Sequence, residues 1–139
     1  MSLTLAEFVT KYDGKRVSGY SESGGQCVDL VRTFLKDQTG DPYYGIPAVP
    51  GGAKDMFAKA DPRKWRKVKN TPPGVPPAGA IVVFDAHPGN SYGHVAIALR
   101  RSDAHNVQSF DQNWSRYRRC TKEWHRYERD RVIGWLIRR

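Results

Sequence analysis

The hydrophobic pattern changes its period partway along the chain. In residues 5–12 and 27–38 apolar side chains recur at the spacing of one helix face. The first segment, Leu5 to Tyr12, follows Thr4 and carries Glu7 at the spacing of a capping box, and Gly14 supplies its stop. The second, Cys27 to Gln38, puts Leu30, Val31, Phe34 and Leu35 on one stripe, with Cys27 at the N-terminal end of that stripe and Gly40 past its end. The Gly/Ser-rich stretch GYSESGGQ between them reads as a loop. Residues 41–51 (DPYYGIPAVPG) form a second loop, and Ala53 to Ala60 predicts a short helix.

From residue 80 the period becomes that of a strand. Ile81 to Phe84 is an unbroken apolar run, as expected for a central strand covered on both faces. In HVAIALR the pattern alternates, with Val95, Ile97 and Leu99 on one face and His94, Ala96 and Ala98 on the other. The small alanines predict that a helix packs close against the histidine's face. Asn106 to Asn113, Tyr117 to Tyr127 and Val132 to Ile137 supply further strands, for a sheet of roughly five or six. The Pro-rich stretch 71–79 steers the chain into the sheet and is no linker, because neither flank makes a core alone. Helices followed by a mostly antiparallel sheet give an α+β architecture in one domain, residues 1–139, with no internal repeat.

Composition narrows the function classes. No apolar run approaches the ~20 residues of a membrane-spanning helix, and the N-terminus is too short and polar for a secretory signal. Synthesis in the cytoplasm is therefore expected. With 39% hydrophobic residues the chain can bury a core, which excludes wholesale disorder. The net charge of +9 points to an anionic partner: nucleic acid, lipid headgroups or an acidic wall polymer.

Two cysteines make no disulfide framework, and their contexts differ. Cys27 follows Gly-Gly-Gln and opens a helix, where the macrodipole and free N–H groups favour a thiolate nucleophile. A lone thiol is more often buried and structural, and Cys120, in the charged stretch YRRCTKEW, fits that description. His94 opens a strand, and a helix 27–38 packed on its face would bring base and nucleophile together. In SFDQNW, Asp111 and Asn113 are two apart in an extended segment and point to one side. Either can accept the imidazole N–H and fix its tautomer; the plain alternative is a polar strand-end turn.

The sequences GGQCVDLV, YGHVAIAL and SFDQNW, in that order, resemble the CHAP family of cysteine, histidine-dependent amidohydrolases and peptidases, over roughly residues 5–137. The resemblance implies a papain-like fold and a peptidoglycan hydrolase of the kind found in phage endolysins and bacterial autolysins. It implies Cys27 as nucleophile and His94 as general base. Asp111 stands where several lysins have Glu, and Asn113 where they have Asn, so both are candidates to orient His94. Gln26 is implied as an oxyanion donor beside the Cys27 backbone N–H. Some members bind calcium through acidic and polar ligands upstream of the cysteine and an Asp two residues after it. Asp29 matches that Asp, but Glu22 is the only acid upstream in SGYSESG, so neither calcium, another metal nor a cofactor is expected.

Two rival readings remain. Residues 114–139 hold nine basic against three acidic residues, interleaved with Trp114, Tyr117, Trp124, Tyr127 and Trp135, a composition that suits nucleic acid. No nucleic-acid-binding motif accompanies it, and the aromatics suit strand core positions equally. A papain-like protease or effector acting on other proteins is the second rival. For a wall hydrolase acting as a monomer, the same charge would hold the domain on anionic envelope polymers. Whether the bond cut is an N-acetylmuramoyl-L-alanine amide or a peptide amide stays open, as does the role of loops 41–52 and 85–92 in choosing it.

Overall fold

The computed structural model describes residues 2–139. Helix α1 spans Leu5–Tyr12 and α2 spans Cys27–Thr39. Thr4 Oγ1 accepts from the Glu7 amide and Glu7 returns a bond to the Thr4 amide, so α1 has the capping box its spacing predicts, a device that stabilises by about 1 kcal/mol. The region 53–60 divides into a 3-10 turn, Ala53–Asp55, and a single helical turn α3, Met56–Lys59. Six strands follow: β1 Trp65–Lys69, β2 Ile81–Phe84, β3 His94–Ala98, β4 Asn106–Gln112, β5 Cys120–Arg126 and β6 Val132–Arg138. They form one antiparallel sheet in the order β1-β6-β2-β3-β4-β5, which makes the fold α+β.

Strand β1 is absent from the sequence expectation. It is an edge strand, WRKVK, in which Trp65 is buried while its basic neighbours face outward or lie at the rim. Pairing with β6, not amphipathic pattern, makes it a strand. Strand β5 begins at Cys120 instead of Tyr117, and β4 ends at Gln112 because Asn113 turns to φ 65°.

The sheet is strongly curled. In a flat sheet of this order, β5 and β6 would lie four spacings of about 4.8 Å apart, roughly 19 Å. Only residues 127–131 join them, and that segment is a tight turn in which the Val132 amide donates to the Tyr127 carbonyl at 2.9 Å. The curl gives the sheet an inside and an outside. Leu30, Val31, Phe34 and Leu35 of α2 share the outer core with Val95, Ile97, Leu99 and Phe110. The inside holds Val82, Phe84, Ala96, Ala98, Val107 and Trp135.

The helix therefore packs on the Val95 face of β3, opposite to the face that the alanines suggest. Branched side chains remove more apolar area from water against a helix, about 0.8 kcal/mol for each additional buried CH₂. The alanines instead fit the concave side, where the curl leaves little room. His94 lies on that concave side at the first residue of β3. It meets α2 past the end of the strand and not across the helix–sheet interface.

Candidate active site

Two glycines and a carboxylate aim Cys27. Gly24 and Gly25 take φ 69° and 63°, the left-handed region, and turn the chain into the start of α2. A Cβ at Gly25 would stand 3.0 Å from the Cβ of Arg118, so the approach of that loop also requires glycine. Asp29, in the first turn of α2 and fully buried, gathers the loop around itself. Its Oδ1 accepts the amides of Tyr20 (2.7 Å) and Ser21 (2.9 Å); its Oδ2 accepts the Gln26 amide (2.9 Å) and the Ser21 hydroxyl. Buried Gln112 pins the loop to β4 by donating to the Val17 and Gln26 carbonyls and accepting from the Val17 amide. Cys27 thus sits half-buried at the head of α2, where first-turn amides lack helical partners.

The same contacts test the site for calcium. Four donors occupy the Asp29 carboxylate, about the full complement of its lone pairs. Glu22 is exposed, and no three His, Cys, Asp or Glu side chains among the described residues cluster closely enough to hold a metal ion. Donors directed at a carboxylate do what a cation would otherwise do, so these residues do not fit the ion.

His94 is placed by Gly93, whose φ is 72° and where a Cβ would meet the Phe84 carbonyl at 2.5 Å. The imidazole is 1% exposed, with the rings of Phe84 and Trp114 beside it at 5.3 and 5.0 Å. Its Nε2 lies 2.7 Å from Oδ2 of fully buried Asp111, and the Ser109 hydroxyl binds Asp111 Oδ1. Burial alone would draw the imidazole down. The Asp111 carboxylate and the Cys27 sulfur more than offset it, and His94 is raised from 6.5 to about 10. Burial works the other way on Asp111, but hydrogen bonds from His125 and His94 hold its carboxyl well below the usual range. An ionised carboxylate only accepts, so His94 Nε2 carries the proton, and Nδ1 is the nitrogen left for Cys27.

Asn113 does not reach His94. Its positive φ breaks the alternation that would align it with Asp111, and its Nδ2 donates to Gln26 Oε1 at 2.7 Å. Gln26 Nε2 donates in turn to Ser23 Oγ at 2.9 Å, which leaves one of its two amide hydrogens free. Cys27, His94 and Asp111 form one connected set, with Gln26 and Asn113 paired beside Cys27. Cys120 lies apart: it is buried, and desolvation pushes its thiol up to about 12.

Several side chains at the site escape sequence reasoning. His125 and Ser109 bond Asp111 directly, Gln112 fixes the loop, and Arg32, a helix residue 3% exposed, anchors the groove loop through the Ile46 and Pro47 carbonyls. The open cleft over Cys27 and His94 is walled by residues 43–53 and 87–93, which overlap the expected loops 41–52 and 85–92, and also by 20–23 and 113–118. Tyr43 and Tyr92 are exposed on it, and Arg116 and Arg118 line it. Of the C-terminal aromatics, Trp135 and Tyr127 are core, Trp114 backs His94, and Tyr117 and Trp124 are exposed.

Solved structures share this architecture. The chain superposes on the crystal structure of Ly7917 with a TM-score of 0.73 and 23% identity, covering 98% of this chain and 63% of that one. The structure of Ly7917 with the hydrolyzing product of MDP gives 0.73 and 24%, over 97% and 63%. A wild-type endolysin, LysIME-EF1, gives 0.77 and 22%, over 99% and 65%. The chain thus corresponds to less than two thirds of the length of each. The sequence model of the CHAP domain matches residues 16–113, a span that holds Cys27, His94, Asp111 and Asn113, and the chain belongs to the CHAP domain family.

Proposed function

We propose that this domain hydrolyses an amide bond of bacterial peptidoglycan through a thioester on Cys27. The observation that carries the reading is the cysteine at a helix head beside an imidazole that a buried carboxylate clamps. Membership of the CHAP family, and an endolysin among the structural neighbours, favour the wall as substrate.

The Cys27 thiolate attacks the amide carbonyl carbon, forming the C–S bond and an oxyanion. The Cys27 backbone N–H and the free amide hydrogen of Gln26 face the developing charge. The His94 imidazolium gives its proton to the leaving nitrogen as the C–N bond breaks. Water, deprotonated by His94, then attacks the thioester and restores the thiolate. Asp111 is the orienting residue, and Asn113 steadies Gln26. The bond is an N-acetylmuramoyl-L-alanine amide or a peptide amide of the stem or bridge, and the enzyme acts at the wall as a monomer without metal or cofactor.

Purified sacculi incubated with the protein in EDTA, followed by mass spectrometry of the soluble fragments, test this directly. A new amine terminus identifies the bond: alanine N-terminus with intact glycan for the amidase, an internal stem or bridge terminus for the endopeptidase. No fragment from sacculi, with casein cleaved instead, defeats the proposal. Turnover restored only by calcium defeats its metal-free part.

The basic surface makes a separate prediction. Arg116 and Arg118 line the cleft, whereas Arg119, Lys122 and Arg126 are exposed outside it. Screening at about 0.15 M salt has a length of about 8 Å, so diffuse attraction to anionic polymers weakens as salt rises. Reversing Arg119, Lys122 and Arg126 to Glu is expected to lower co-sedimentation with sacculi and flatten its salt dependence. Cleavage of a small soluble wall fragment should stay as in wild type. Unchanged sedimentation across a salt series, in a variant folded by circular dichroism, rules out this role for the charge.

A further inference from the structure

Behind the catalytic set lies a second imidazole that the proposed chemistry does not use. His125, from β5, is fully buried and packs against the rings of Phe84 at 4.6 Å and Trp114 at 4.5 Å. Its Nε2 lies 2.9 Å from Asp111 Oδ2, the same oxygen that takes the His94 proton donor. Its Nδ1 lies 3.0 Å from Asp130 Oδ2 in the β5–β6 turn. Asp130 is braced by the Arg129 guanidinium at 2.9 and 3.1 Å and by the Arg126 amide. Both nitrogens of His125 are therefore spent on carboxylates. His125, Arg126, Arg129 and Asp130 lie beyond the span matched by the CHAP domain model, which ends at residue 113.

We propose that His125 is a positioning residue for Asp111: with Ser109 it locks the carboxylate so that Oδ2 points at His94 Nε2, and Asp130 holds His125 in turn. An Asp side chain has two rotatable torsions, and one bond to His94 would leave it free to swing. Ser109 on Oδ1 and His125 on Oδ2 fix its plane. The buried line His94–Asp111–His125–Asp130 thereby ties the imidazole to the turn that closes the curled sheet. The benefit is pre-organisation, since small displacements of a catalytic group cost roughly 10- to 100-fold in rate. The inference rests on the Cys27–His94 pair of the proposed mechanism.

The test reads that pair without any wall substrate. Alkylation of Cys27 by iodoacetamide at neutral pH measures its activation, and buried Cys120 contributes little. His125→Phe is expected to slow alkylation roughly tenfold and to lower kcat on a soluble wall fragment with KM unchanged. His125→Gln keeps an N–H donor for Asp111 and should recover most of the loss. In an Asp111→Ala background His125→Phe should add nothing, because its effect passes through that carboxylate. Asp130→Asn, which disturbs only the outer partner, should give a smaller loss of the same kind. The proposal is overturned if folded His125→Phe alkylates like wild type, or if its loss recurs in full without Asp111. Should His125→Phe fail to fold, an unaltered rate in Asp130→Asn overturns it. Wild-type alkylation no faster than that of His94→Ala is a different failure, of the Cys27–His94 pair itself, and takes this inference with it.

Discussion

Cys27→Ala is expected to abolish cleavage of sacculi while leaving the domain folded and bound to them. Losing a covalent nucleophile costs on the order of 10⁶-fold in turnover in a well-studied hydrolase, because no other group forms the intermediate. Here the side chain is small, half-buried and at the first helical position, where alanine is well tolerated. Asp29, Gln112 and the two glycines, which shape the loop, do not contact the sulfur through any of their hydrogen bonds. The melting temperature should therefore barely move. Sedimentation with sacculi should match wild type, and mass spectrometry should find no released fragment. Residual cleavage within tenfold of wild type would remove Cys27 from the nucleophile's role.

The elements were legible where one signal sufficed to specify them. Helix α1 announces itself through Thr4 and Glu7, and α2 through its stripe and Gly40. Strands β2 and β3 follow from an apolar run and an alternation. Strand β1 depends on its partner, since three of its five residues are basic and only the pairing with β6 makes the segment extended. The face on which α2 packs is hidden from the sequence for a similar reason. Alternation separates two sets of side chains, but it does not say which set meets a helix and which meets the concave side. That choice is made by the curl, and the curl is enforced by the short turn at 127–131 joining strands far apart in sheet order.

At the site, chemistry with a local marker was readable and chemistry assembled by the fold was not. Cys27 is marked by the preceding glycines and the following helix, and His94 by its glycine and strand. Asp111 and Asn113 looked equivalent because an extended chain puts them on one side. A single positive φ at Asn113 separates them, sending its amide to Gln26 while Asp111 keeps His94. Asp29 matches the position of a calcium ligand in some family members, and it proves to be the anchor of the loop that leads into Cys27. Nothing in the run CTKEWHR marks His125. A histidine among charged residues reads as surface until the sheet's curvature carries it inside.

Asp111→Asn should lose activity and pH tolerance together, and it isolates charge from shape. The amide is isosteric: its oxygen can keep the bonds from His94 and His125, and its NH₂ can donate to the Ser109 hydroxyl. What vanishes is the Asp111 share of the charge that offsets the burial of His94, leaving only the share of the Cys27 sulfur. The imidazole should then fall from about 10 toward its ordinary 6.5. Near neutral pH the variant would hold a neutral ring and lack the proton for the leaving amine. A loss on the order of 10²- to 10⁴-fold in kcat is expected, with the basic limb of the pH profile moved to lower pH. Stability should change with a definite sign. Raised His94 contributes stability that is complete below 6.5 and lost as pH rises through about 10. Lowered Asp111 contributes stability that is present above 3.8 and lost as pH falls through its depressed folded value. Wild type and variant should therefore differ most between 3.8 and 6.5, by about 3–5 kcal/mol for a broken buried pair, and converge toward both extremes. Urea midpoints taken from pH 3 to 11 measure this, beside kcat profiles over the same range. If Asp111→Asn keeps both the wild-type basic limb and the wild-type stability curve, the Asp111 carboxylate does not set the charge on His94.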